Sequence, residues 1–179
     1  MAEIPQGKDQ VRKMLTRLAG ELMEAVPDWE KAAFIGIRTG GDLIARNLAG
    51  LLQEQTGRQV PVGVLDITLY RDDISRRKAY PEVRSTDIPF AVDGKDIILV
   101  DDVLHTGRSV RAAIDQIVDL GRPRRIYLLV LFDRQGRELP IQADFAGMKI
   151  SLPEEQVIKI ESGPDRETIV GVLISEVKR

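Results

Sequence analysis

Residues Ile97 to Ser109 read IILVDDVLHTGRS, and the order of residue types in this stretch decides the fold. Four apolar residues, Ile97 to Val100, predict a short buried strand with two adjacent carboxylates, Asp101 and Asp102, at its solvent-facing C-terminal end. A small polar turn, Thr106-Gly107-Arg108-Ser109, then opens a helix predicted to run to about Leu120. In an open α/β sheet, ligands gather at the C-terminal ends of the strands. A helix N-terminus there presents unpaired backbone N–H groups and the positive end of the helix dipole. Such a turn suits the phosphate of a sugar phosphate: Gly107 lets the backbone close around an anion, and the hydroxyls of Thr106 and Ser109 can donate to it. Asp101 and Asp102 would repel that anion, so they are better placed to accept from ribose hydroxyls or to approach Mg²⁺ directly or through water. A carboxylate pair or a helix-capping serine alone is common in any βα unit; the whole string is much more specific.

The 179 residues suit one domain, 1–179, and 43% hydrophobic with 30% charged residues is a globular balance. No apolar run is long enough to span a bilayer, so no membrane partner is expected. The start, MAEIPQGKDQ, lacks the pattern of a signal peptide and the chain has no cysteine, so a cytoplasmic location is the default. With 26 basic and 28 acidic residues the net charge is −2, and any site for RNA has to be a local patch.

Apolar residues Val11, Met14, Leu15, Leu18, Leu22 and Ala25 recur at helical spacing over Asp9–Val26, and Pro27 ends that helix. Ala32–Ile37 is a buried strand, followed by the turn Arg38-Thr39-Gly40-Gly41 and a helix over Asp42–Gln55 that stops at Gly57. Val60–Leu69 is β-branched and predicts a second strand, and Arg125–Phe132 another. Tyr70–Pro89 is charged and aperiodic, long for a structureless loop, and such loops often serve as active-site lids. Beyond Asp133, Val157–Ile160 and Thr168–Leu173 are strand-like. Strands alternating with helices predict an α/β fold with a central, mainly parallel sheet flanked by helices. Its core spans about 9–132, and the tail, about 133–179, forms a small hood with the N-terminal segment.

The opening string resembles the 5-phosphoribosyl-1-pyrophosphate (PRPP) motif of type I phosphoribosyltransferases. That resemblance assigns Val100, Asp101, Asp102, Val103, Leu104, His105, Thr106, Gly107, Arg108 and Ser109 to PRPP or nucleotide binding. Since PRPP also carries a pyrophosphate, Arg38, Thr39, Gly40 and Gly41 become a second anion site, although a glycine-rich turn alone often means only tight packing. Arg71, Arg76, Arg77 and Lys78 in the long β-rich catalytic loop would neutralise the leaving pyrophosphate and exclude water; a charge run standing alone is more often a solvated surface. His105, the sole histidine, can serve as a base or simply pack in its loop. Asp133 and Arg134 end a strand at the same sheet edge, where a base is recognised.

LDITLYRDD (Leu65–Asp73), LGRPRRIYLLVLFDR (Leu120–Arg134) and RELPIQADF (Arg137–Phe145), taken with the PRPP string, resemble the PyrR family. The resemblance implies uracil phosphoribosyltransferase activity with Mg²⁺, converting uracil and PRPP to UMP and pyrophosphate. It also implies UMP- or UTP-responsive binding of pyrimidine-operon leader mRNA, and assembly as a homodimer or homotetramer. It places the RNA face at Thr16, Arg17, Arg134, Arg137 and Lys149. Family members carry histidine where Gly20 and Gly136 stand, arginine at Gly40 and Gln142, lysine at Met148 and tyrosine at His105; most of these departures remove positive charge from the RNA face. Two alternatives stay open: a nucleotide-sensing regulator with little catalysis, and a phosphoribosyltransferase for another base.

Overall fold

The structure is a computed structural model that describes residues 4–5, 7–68, 85–165 and 167–176. In chain order its elements are α1 (Lys8–Ala25), β1 (Ala32–Ile37), α2 (Gly41–Thr56), β2 (Val62–Leu65), β3 (Asp96–Leu104), α3 (Arg108–Leu120), β4 (Arg125–Arg134), β5 (Phe145–Ile150), β6 (Gln156–Ser162) and β7 (Ile169–Glu176). Strands β1 to β5 form one parallel sheet in the order β2-β1-β3-β4-β5. β6 and β7 form a separate antiparallel pair, and Gly7 bridges to Gly171. The α/β class and parallel sheet expected from the sequence are what the chain forms.

The unbroken apolar run of β1 follows from burial on both faces. Ala32 and Phe34 join the core shared with α1 and α2, while Ala33, Ile35 and Ile37 join the core shared with α3. β3 repeats the division, with Ile98 and Val100 on the first side and Ile97 and Leu99 on the second. From β1 the chain runs outward to β2 and then crosses back to β3 on the other side of β1. Where the direction of winding reverses, the loops after neighbouring strands diverge and leave a crevice at the strands' C-terminal ends. The loops at this crevice are Arg38–Gly41 and the turn after Leu104.

Three boundaries differ from those the sequence predicts. β3 does not stop at Val100: Asp101 pairs with Val130, Val103 with Phe132 and Leu104 with Asp133, so both carboxylates lie inside the strand. Asp101 is 6% exposed, which corrects the expectation of a solvent-facing pair. β2 is shorter than Val60–Leu69, because Pro61 has no N–H and the Asp66 carboxylate takes both the N–H and the hydroxyl of Thr68, turning the chain. Thr86 Oγ1 accepts from the Asp66 N–H, and Val64 and Asp87 exchange two backbone bonds, so the two flanks of the long charged segment run side by side. The central sheet also continues beyond Phe132 through β5, whose sequence FAGMKI carries no alternation to announce it.

Candidate functional site

The loop after β3 has the form of an anion cradle. Gly107, at φ +93°, caps α3 without a side chain, and the first turn of that helix holds no acidic residue. Thr106 Oγ1 accepts from the Arg108 N–H at 3.3 Å. Below it, Asp101 Oδ1 accepts from the Asp102 N–H at 2.9 Å. Burial pushes the Asp102 carboxyl up to about 6 and the nearby Asp42 charge adds to this, against hydrogen bonds from Asp101, Val103 and its own backbone N–H. Asp102 therefore gains by meeting a hydrogen-bond donor or a cation.

The turn Arg38–Gly41 stands opposite. Gly40 has φ +117°, and a Cβ there would lie 2.8 Å from Asp102 Oδ2, so this backbone shape with its neighbour demands glycine. The Gly40 N–H is already given to Asp42 Oδ1 at 3.1 Å. Unlike α3, α2 thus begins with a carboxylate in its first turn. An anion approaching here meets Asp42 and Asp102, and is favoured only with positive charge between. Arg38 supplies some, since its Nε is buried with no hydrogen-bond partner among the described residues. Mg²⁺ would supply more. Among the described residues no three His, Cys, Asp or Glu side chains are grouped to hold a metal unaided, so Asp101 and Asp102 would share such an ion with a phosphate ligand.

His105 is turned toward the segment after β4. A Cβ on Gly136, itself at φ +107°, would sit 2.6 Å from the imidazole Nε2. Burial, then the charges of Arg134 and Arg137, hold the imidazole pKa below its ordinary value, so the ring is neutral near pH 7. His105 and Gly136 look like two unrelated departures in the sequence; in space they are one contact.

The arginines assigned to base and RNA are largely engaged. Arg134 is 6% exposed and donates to the carbonyls of Gln156 (2.8 Å), Leu152 (3.3 Å) and Pro153 (2.7 Å), tying β4 to the start of β6. That guanidinium faces protein rather than RNA. Arg137 bridges the His105 carbonyl and the Asp133 carboxylate. Arg17 pairs with Glu21 and donates to the carbonyl of Gly147 at 2.6 Å. Thr16 Oγ1 bonds back to the Arg12 carbonyl at 2.9 Å, and Lys149 is exposed. A cavity of about 600 Å³ borders this face, with Asp133, Arg137, Lys149 and Leu152 in its lining. Arg71, Arg76, Arg77 and Lys78 lie outside the described residues. Sequence reasoning missed Asp42, Glu138 and the carbonyls of Leu152, Pro153 and Gln156, none of which stands in a local pattern that would reveal it.

The profile of the phosphoribosyl transferase domain matches residues 3–165. A protein from Thermus aquaticus named bifunctional protein PyrR is 51% identical over 161 residues, 88% of this chain and 89% of its own. The chain belongs to the PyrR family. A second bifunctional protein PyrR, from Pelotomaculum thermopropionicum, is 48% identical over 165 residues, 91% of each chain. Among solved structures, a hypoxanthine-guanine phosphoribosyltransferase of Bacillus anthracis superposes with a TM-score of 0.67 over 97% of this chain and 98% of its own. At 16% identity that likeness shows the fold alone, and it is the type I phosphoribosyltransferase fold the sequence leads one to expect. No described helix is long and apolar enough to cross a membrane.

Proposed function

We propose that this phosphoribosyltransferase joins uracil to PRPP, with Mg²⁺, giving UMP and pyrophosphate. The observation that carries it is the juxtaposition at the crevice of Asp101 and Asp102 with the glycine-capped, acid-free start of α3. The 5′-phosphate sits on the N–H groups of the α3 turn, and the two carboxylates receive the ribose hydroxyls. The bond from C1 to the pyrophosphate oxygen breaks, that from the uracil nitrogen to C1 forms, and the nitrogen's proton passes to solvent water. Charge develops on the departing pyrophosphate, where Arg38 and the turn up to Gly41 receive it. Asp101 and Asp102 would hold Mg²⁺, directly or through water, and the ion would add positive charge beside the pyrophosphate. Asp133 marks the base end of the site. Formation of UMP from uracil and PRPP, followed by chromatography, tests the proposal; no UMP at any Mg²⁺ concentration would overturn it.

The bifunctional relatives support a second role, uridine-nucleotide-responsive binding of a pyrimidine-operon leader RNA. Lys149, with Arg17 and Arg137 once released from their protein partners, supplies the charge. One observation favours a nucleotide sensor with slow turnover instead: Asp42 occupies the backbone donor of Gly40 at the pyrophosphate turn. A pyrophosphate-release assay with uracil and PRPP separates the two, since a sensor binds UMP yet releases little pyrophosphate from PRPP.

A further inference from the structure

The phosphate loop is held from outside, residue by residue, by the segment after β4. The Thr106 carbonyl accepts from the N–H groups of Glu138 at 3.0 Å and Leu139 at 3.1 Å. Arg108 Nε donates to Glu138 Oε2 at 2.6 Å, and Leu139 and Ile141 lie against Gly107. Arg137 sends one Nη to the His105 carbonyl and the other to Asp133 Oδ1. Its side chain is 24% exposed and that of Asp133 is 19%, so water competes little for either.

The orientation has a direct consequence for an anion. In a trans peptide the C=O and the following N–H point in opposite directions. Drawing the His105 and Thr106 carbonyls toward residues 137–139 therefore turns the N–H groups of Thr106 and Gly107 the other way, away from that segment. The rigid planar fork of arginine fixes the directions to a carbonyl and a carboxylate together, which a lysine ammonium on its flexible stem does less well, so arginine suits position 137 better.

We infer that Arg137 is a positioning residue of the phosphate loop, fixing the His105–Thr106 peptide to the end of β4 through Asp133. This rests on the phosphoribosyl site proposed above and assigns the guanidinium a task distinct from RNA contact.

The test is to titrate the unmodified protein, Arg137→Ala and Arg137→Lys with UMP and with uridine, by calorimetry or NMR. Losing a charge-assisted bond on the loop should weaken UMP by about tenfold or more in Arg137→Ala and leave uridine, which has no phosphate, within about twofold. Arg137→Lys should recover part of the UMP affinity. Unchanged UMP affinity in Arg137→Ala would overturn the inference, as would equal weakening of both ligands, which marks a general loss of structure. Failure of the unmodified protein to bind UMP would instead bring down the phosphoribosyl site, and the brace with it. Binding of UMP without uracil turnover would reject only the catalytic proposal and leave Arg137 to be judged by its own variants.

Discussion

The phosphate loop and the basic face beside it are both made of short turns and polar side chains, but their bonds have different reach. Within the loop some partners are neighbours in sequence, Asp102 N–H with Asp101 and Arg108 N–H with Thr106, and only its carbonyls reach out to residues 137–139. On the basic face each guanidinium reaches at least one acceptor far along the chain, Arg134 at Leu152, Pro153 and Gln156, Arg137 at His105 and Arg17 at Gly147, beside the local pairs Arg17–Glu21 and Arg137–Asp133. A string of residues therefore reveals the first kind of site. It gives only the charges of the second, and a cation counted in the sequence is not yet one available to a ligand.

The sharpest way to break this contrast is at Arg134. Replacing it by methionine leaves three carbonyls short of a charged donor, and stability should fall by about 3 kcal/mol. A urea midpoint displaced downward at unchanged slope would show this. Unaltered stability with weakened RNA binding would return Arg134 to the nucleic-acid face.

Next in size is the double change Asp101→Asn with Asp102→Asn, expected to weaken PRPP by about a hundredfold, roughly 2.7 kcal/mol, through loss of charge-assisted bonds. Undiminished pyrophosphate release would reject the assignment. Asp102 also imposes a direction on pH. Its folded pKa, about 6, lies above the ordinary value of 3.8, so its contribution to stability is complete below about 4 and disappears as pH rises through about 6. Subtracting the profile of Asp102→Asn from that of the unmodified protein should expose this fall and cancel the titration of other carboxyls. A flat difference between pH 4 and pH 7 would contradict the burial of this carboxyl.

Gly136→His should cost about 2 kcal/mol, combining left-handed backbone strain with collision against His105. In a His105→Ala background the cost should shrink by about half, a coupling that a double-mutant cycle measures directly. Strict additivity would mean that the two positions are independent after all. The mildest effects belong to Gly20→His and Gln142→Arg, because Gly20 has open space around it and Gln142 is exposed. Each should change stability by less than about 0.5 kcal/mol, and the added arginine should steepen the salt dependence of RNA binding by about one phosphate contact. An unchanged salt slope would place Gln142 off the RNA path.

Legibility follows the same division. The helix α1 and strands β1 and β4 could be read because an amphipathic stripe and doubly buried apolar runs are local signals. β5 could not: Gly147 and Lys149 interrupt its apolar residues, and its place comes from pairing with β4 rather than from its own pattern. At the candidate site, Asp101, Asp102 and the Thr106–Ser109 turn stand out by residue type and order. Asp42 stood unremarked as a first-turn acid, although its carboxylate takes the Gly40 N–H and bears on Asp102. The tie from Arg137 to His105 crosses 32 residues, a distance over which no periodicity carries information.

β5 is the last strand of the sheet, and such an edge displays backbone groups to which another chain can add itself. Arg17 reaches from α1 to the carbonyls of Ala146 (3.3 Å) and Gly147 (2.6 Å) on that strand. In colloidal terms it stands guard on an edge to which no further strand pairs among the described residues. Arg17→Gln would leave those acceptors to water or to a neighbouring molecule, and its first symptom would be turbidity in concentrated solutions, before any change in turnover.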